Sequence, residues 1–350
     1  MRGRGRRGEQ VQARQQGEGR QGAEESGAHG FLREVWSWCT RCRVRDVGSA
    51  ARRPPPTRCR PPPPTRTVET CHTCRGTQQV PLIHEGGAVT GRPPTPSPGA
   101  APAVVHVVRV PHEEPGEDAR SVLAPTERVR AERYRRAEDR RRSLTAALLL
   151  RHAVGALTGL RPADVDVRRT CASCGVGDHG RPALPGTGWH ASVSHAGAWC
   201  VVALTTAGPV GVDVEVLRAL DTAGLGAAVL GPGEHARDAA ALLRLWTRKE
   251  AVVKATGAGV GTPFRDVLVG PADWPAALRG CPGVPPGTGL LRDIGAPAGH
   301  VAAVCVLPAP APHGDATASG LDVRELVVPT PDAAGRALAR ASTAAAPPSA

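Results

Sequence analysis

Lysine is used twice in this chain, at Lys249 and Lys254, while the other 42 of its 44 Lys+Arg residues are arginine. Both lysines lie in Trp246-Thr-Arg-Lys249-Glu250-Ala-Val-Val-Lys254. Elsewhere the composition supplies charge as guanidinium. A retained ammonium therefore suggests a need for a compact, rotatable point charge that contacts phosphate or gives up a proton. Glu250 and Lys254 are four apart and share a helical face. They read either as a surface ion pair, or as a metal ligand or base beside a phosphate-binding ammonium. Asp213 and Glu215, in Val210-Gly-Val-Asp213-Val-Glu215-Val216, are two apart on an alternating strand and project together. Oxygen donors at that spacing suit a hard cation such as magnesium, and they equally suit the polar face of a half-buried strand. Ser192-Val-Ser194-His195-Ala-Gly197 puts one imidazole among small residues, where a phosphate could approach, or where the ring could be structural. Cys171-Ala-Ser-Cys174, followed by His179, has the form of half a zinc site without an evident fourth ligand.

These side chains need elements to carry them. Val104–Val110 is β-branched and predicts a strand. Pro125-Thr-Glu127 opens a charged helix running to Tyr134, and a second helix is predicted from Asp139 to about Leu157. Strands are expected at Ala198–Leu204, Val210–Val216 and Val301–Leu307. A helix is expected from Ala236 to Thr256, ended by Gly257 and Gly259. The strand–helix–strand pattern occurs twice, which predicts an α/β (α+β) pseudo-dimer of two similar halves.

The remainder of the chain is different in kind. Residues 1–100 hold 17 Arg against 8 acidic residues, so they carry 17 − 8 = +9 of the formal +12. They are rich in Gly, Gln and Pro with little apolar periodicity, and they are expected to stay disordered. Cys39, Cys42, Cys71 and Cys74 in this arm resemble a zinc ribbon in spacing. A basic, Cys-containing arm that binds zinc or nucleic acid is thus an alternative function, although the attraction to nucleic acid would be non-specific. Met1 is the one methionine, and patterned sequence begins abruptly, which fits translation starting near Val104. The Ala/Pro/Thr-rich tail from about Ala309 is also expected to be disordered. No 18-residue apolar run and no secretory signal pattern is present, so a cytoplasmic protein with reduced thiols and no membrane span is expected.

Taken together, these motifs resemble the Sfp-type 4′-phosphopantetheinyl transferases, in an actinobacterial-like variant. The resemblance covers about residues 104–307. It rests on the lead-in Pro125-Thr-Glu-Arg-Val-Arg130, on Arg142-Ser143 with Arg151, on His179-Gly-Arg181-Pro182, on Val193-Ser194-His195, on Asp213-Val-Glu215 and on the Trp246–Lys254 segment. It implies that the chain divides into an arm (1–102), an N-terminal half (103–207), a C-terminal half with the metal site (208–308) and a tail (309–350). It implies magnesium held by Asp213, Glu215 and Glu250, and coenzyme A bound between the halves as co-substrate. Arg130, Arg142, Ser143, Arg181, Ser194, His195 and Lys254 would contact the cofactor, and Glu250 and Lys254 would be catalytic. The reaction implied is transfer of phosphopantetheine to a serine of an apo acyl, peptidyl or polyketide carrier protein, as in secondary metabolism. By position, residues 217–235 are a candidate docking element for that partner, and their low polarity equally fits an ordinary packed helix. Departures from the family pattern are Ser192, Ala196, Arg181 in place of a frequent lysine, and Glu127 where a basic residue is common.

Overall fold

The computed structural model describes residues 101–171, 175, 177, 179–308 and 318–344. The basic arm, its four cysteines and its proposed nucleic-acid or zinc binding lie outside the described residues. In chain order the first half contributes β1 (Ala103–Pro111), α1 (Glu117–Ser121), α2 (Pro125–Glu132), α3 (Ala137–Thr158), β2 (Arg168–Arg169), β3 (Pro182–Ala183), β4 (His190–Ala196) and β5 (Trp199–Thr205). The second contributes β6 (Val210–Val216), α4 (Thr222–Val229), α5 (Ala239–Thr256), β7 (Leu268–Val269), β8 (Leu278–Gly280), β9 (Leu290–Asp293) and β10 (His300–Val306). Two more elements follow, β11 (Leu321–Val327) and α6 (Pro331–Ala344).

Two sheets organise these elements. One runs β11-β1-β5-β4-β3-β2, and the other β6-β10-β9. Period-2 patterning gives each sheet two apolar faces, so each takes a cover on both sides. Cys200, Val202 and Leu204 of β5 meet Ala146, Leu149 and Ala153 of α3. The alternate residues Val201 and Ala203 face the other sheet, where Val212, Val214 and Val304 receive them. Val301, Ala303 and Cys305 of β10 turn outward against Leu242, Leu245 and Trp246 of α5. The layers are therefore helix, sheet, sheet, helix, with one sheet and one long helix from each half. Each fully buried Val or Leu among these contributes roughly 1.5–3 kcal/mol relative to exposure.

Local signals set the ends of α5. Asp238 caps it by accepting from the Ala241 N–H at 2.7 Å, so the helix begins at Ala239 rather than at Ala236 as predicted. Gly257 closes it in the left-handed region at φ 75°. The helix lies directly on β6 at Gly211, where a Cβ would stand 1.9 Å from the Ala251 carbonyl oxygen. Only glycine permits that approach.

The expectation of a structureless tail is corrected for residues 318–344. β11 pairs in parallel with β1, from Ala103↔Leu321 to Arg109↔Val327. The free edge of β1 supplies the hydrogen-bond partners that this polar segment could not find alone. Ala334 and Leu338, four apart on α6, are fully buried with the α3 cluster. The stripe is narrow and partly alanine, so composition concealed it. None of the described helices is long and apolar enough to cross a membrane.

Candidate active site

The site forms where α5 crosses β6. Even-numbered valines of β6 face the other sheet, so Asp213 and Glu215 face α5. On α5, Trp246, Glu250 and Lys254 repeat every four residues and make one stripe along the helix. The strand face is covered rather than solvated, and Asp213 is only 3 % exposed.

Lys254 Nζ donates to Asp213 Oδ1 at 2.6 Å, to Ser194 Oγ at 3.0 Å and to the Val212 carbonyl at 3.2 Å. Ser194 Oγ donates to Asp213 Oδ1 at 2.8 Å and accepts from the Val214 N–H at 3.4 Å. One turn earlier, Trp246 Nε1 donates to Glu215 Oε1 at 3.3 Å. Burial, followed by the charges of Asp213 and Glu250, pushes Glu215 up to about 8. Burial and Asp213 push Glu250 up to about 7, against the opposing charge of Lys254. Burial works against the Lys254 ammonium, but Asp213, Glu250 and Glu215 outweigh it and its pKa is raised. Three carboxylates thus share one electrostatic neighbourhood around a single ammonium.

This arrangement can be tested for magnesium on its own atoms. Asp213 Oδ2 is buried without a hydrogen-bond partner, a costly state for a carboxylate oxygen. The donors are all hard oxygens. Among the described residues, no three His, Cys, Asp or Glu side chains are disposed as they stand to hold a metal ion. The trio is therefore a donor set of suitable chemistry and not a closed cage. Magnesium commonly needs no more, because one or two carboxylates and substrate phosphates complete its shell.

Successive residues of β4 point to opposite faces, which separates the Ser-His pair. Ser194 belongs to the carboxylate–lysine cluster. His195 lines a concavity on the other face together with Arg130, Ser143, Arg169 and Glu127. Burial, then Lys254, Arg142 and Arg130, push the imidazole down to about 3, so it is neutral at physiological pH. Glu127 caps α2 by accepting from the Ala124 N–H at 2.9 Å and also accepts from Arg151 Nε at 2.7 Å. Arg151 in turn donates to the Val165 carbonyl at 3.0 Å, which makes it a fold residue.

Arg142 and Arg181 stand apart from this concavity. Arg142 donates to the Gly197 carbonyl at 2.7 Å and to Asp139 at 2.8 Å, and it pairs with Glu138. Arg181 Nη1 donates to the Ala255 carbonyl at 2.7 Å, where it braces the C-terminal end of α5 beside Gly257. Lys249 is also elsewhere, fully buried against Val229, Phe264 and Glu234. Cys171 is partly buried and His179 is buried, while Cys174 lies outside the described residues.

Residue-by-residue reading missed three contributors. Arg169 lies in a segment without a motif. Ser192, noted as a departure, accepts from the Val212 N–H at 3.0 Å and so stitches β4 to β6. Trp246 entered only as the start of its motif, and its ring is fully buried in the core. Its indole N–H also reaches a carboxylate, and its place one turn before Glu250 was the available signal.

Comparison with known proteins shows the family. Residues 110–207 match the family model "4′-phosphopantetheinyl transferase, N-terminal", and residues 209–305 match that of the 4′-phosphopantetheinyl transferase superfamily. A 4′-phosphopantetheinyl transferase of Bacillus subtilis is 28 % identical over 160 residues, 43 % of this chain and 67 % of the relative. The transferase AcpT of Salmonella typhi is 42 % identical over 91 residues, 23 % of this chain and 47 % of the relative. HetI of a Nostoc species is 28 % identical over 172 residues, 45 % of this chain and 70 % of the relative. The chain thus spans between about half and about two thirds of the length of the relatives it matches. With one model on each half, and the boundary between them just ahead of the strand that bears Asp213 and Glu215, the chain belongs to the 4′-phosphopantetheinyl transferase superfamily.

Proposed function

We propose that this protein transfers the 4′-phosphopantetheine arm of coenzyme A to a serine of an apo carrier protein and releases 3′,5′-ADP. The observation that carries the proposal is the cluster of Asp213, Glu215, Glu250 and Lys254 at the crossing of β6 and α5, with a buried Asp213 oxygen left without a partner. Asp213, Glu215 and Glu250 would hold magnesium. When bound, the ion supplies positive charge that offsets the pyrophosphate of coenzyme A. Glu250 takes the proton from the attacking serine hydroxyl. The serine oxygen bonds to the β-phosphorus of coenzyme A as the bond from that phosphorus to the departing 3′,5′-ADP oxygen breaks. Lys254, already bonded to Asp213, places its charge beside the reacting phosphate. Ser194 fixes the Asp213 oxygen and Trp246 fixes Glu215.

The partner would be an apo acyl, peptidyl or polyketide carrier. Residues 217–235 remain our candidate docking element. α4 anchors this segment through Leu225 and Val229 while Leu217 is exposed. Cys200, Cys281 and Cys305 are free thiols, which suits the reducing cytoplasm in which we place the reaction.

The test is transfer of a labelled pantetheine arm from coenzyme A to a panel of apo carrier proteins, with and without magnesium. Asp213→Ala and Glu250→Ala should each lower the rate about a hundredfold or more. Turnover by either variant at the wild-type rate would reject the assigned roles.

A further inference from the structure

The candidate site is shared between the two halves, because Ser194 of the first meets Asp213 and Lys254 of the second. Its geometry therefore depends on how the two sheets are held against each other. One seam is at the site itself. β6 is an edge strand, and its Val212 and Val214 N–H groups donate to Ser192 Oγ at 3.0 Å and to Ser194 Oγ at 3.4 Å on β4. A second seam lies across the smaller sheet, at the end of β9. Glu325 of β11 accepts from Arg109 Nη1 of β1 at 2.7 Å through one carboxylate oxygen, and from the Gly295 N–H at 3.1 Å through the other. Arg109 Nη1 also donates to the Gly295 carbonyl. Both backbone polar groups of Gly295, in the second half, are thus held by a charged pair carried on the first-half sheet. The approach is close. A Cβ on Gly295 would stand 2.8 Å from Glu325 Oε2 and 3.3 Å from Arg109 Nη2.

Strand register ties this clasp to the site. Asp293 of β9 is opposite Ala303 of β10, and Ala303 is opposite Asp213 of β6. The end of β9 and Asp213 therefore stand level, two strand spacings or roughly 10 Å apart, and Gly295 follows two residues later. Asp293 also accepts from Arg248 of α5 at 2.9 Å and 2.6 Å, so the helix that bears Glu250 and Lys254 is tied to the same rung. Between the two seams lie aliphatic side chains such as Val107, Val201, Val212 and Val304. Apolar packing of this kind is non-directional, so the polar seams must fix the placement of one sheet on the other. A shift of the smaller sheet at the clasp would carry β6 and α5 away from Ser194.

We infer that Glu325 is a positioning residue for the candidate active site. By clasping Arg109 and Gly295, it holds the two sheets in the placement that brings Ser194 to Asp213 and Lys254. The inference rests on the proposed transfer reaction for its kinetic consequence, and its test reads placement and activity separately. Amide hydrogen exchange of the full chain is measured for wild type, Glu325→Gln and Gly295→Ala, alongside kcat/KM for coenzyme A in the transfer assay. Glu325→Gln removes the charge that Arg109 meets. Gly295 is not among the glycines at positive φ, so Gly295→Ala displaces the carboxylate without straining the backbone. In both variants the Val212 and Val214 amides should exchange roughly tenfold faster, while amides of β5, bonded within the first-half sheet, keep their wild-type rates. kcat/KM should fall by about the same factor. Wild-type exchange at Val212 and Val214 in both variants would overturn the inference. So would an equal acceleration in β5, because a residue that only stabilises the fold loosens all strands alike. A loosened seam with wild-type kcat/KM would overturn it as well, since the site would then not depend on that placement. If exchange responds as expected but the wild-type protein transfers no phosphopantetheine, the proposed reaction falls and the clasp stands.

Discussion

Lys249 and Lys254 stand on the same helix and use the same hydrogen-bonding device in two regions of the molecule. Each ammonium has three N–H groups, and each meets carbonyl and carboxylate acceptors. Lys249 reaches the Val229 and Phe264 carbonyls, at 2.7 Å and 3.0 Å, and the Glu234 carboxylate. Lys254 reaches Asp213, Ser194 and the Val212 carbonyl. The difference lies in the balance of charge. One carboxylate faces Lys249, and the pair is sealed, with the lysine fully buried and Glu234 7 % exposed. Three carboxylates face Lys254, whose side chain is 20 % exposed. Burial lowers the pKa of Lys249 in spite of Glu234, whereas the surplus of carboxylates raises that of Lys254. A matched buried pair ties α5 to its surroundings. A surplus of negative charge near the C-terminal end of the same helix is what the proposed magnesium would offset.

Substitutions can break or sharpen this contrast. The largest effect is expected from Lys249→Met, which strands Glu234 and two carbonyls in the core. It should cost about 3–5 kcal/mol of stability, read by chemical denaturation. Lys254→Met should instead lower kcat/KM about a hundredfold, with a smaller change in denaturation midpoint than Lys249→Met gives. If the two variants lost stability and activity in the same proportion, the distinction between a fold lysine and a site lysine would fail. The smallest effect is expected from Ser192→Ala, which removes the acceptor for the Val212 N–H at the seam between the sheets. About 1–3 kcal/mol of stability should be lost in denaturation, while magnesium dependence is retained. An altered magnesium requirement in that variant would show that the seam also tunes the carboxylates.

Much of the frame was legible because it follows from short-range rules. β-branched alternation located β1, β5, β6 and β10 to within a residue or so, and Gly257 marked the end of α5. Asp213, Glu215, Glu250 and Lys254 were legible as candidates because strand and helix periods align them before any packing is known. Arg142 illustrates the limit. Its motif led to an expected cofactor contact and said nothing of Asp139 and Glu138, one turn away on the same helix, which its guanidinium meets. The C-terminal strand and helix were missed because their partners, β1 and α3, lie more than a hundred residues earlier in the chain.

By itself, then, the amino-acid sequence determined the periodicities, the caps, the paired α/β halves and which side chains on each element could act together. Tertiary structure alone decided that Asp213 is buried, that Lys254 and not Lys249 faces it, and that Ser194 and His195 lie on opposite sides of one strand. The physical reason is range. Propensity and period act over a few residues, whereas desolvation and charge balance depend on which distant surfaces close over a group.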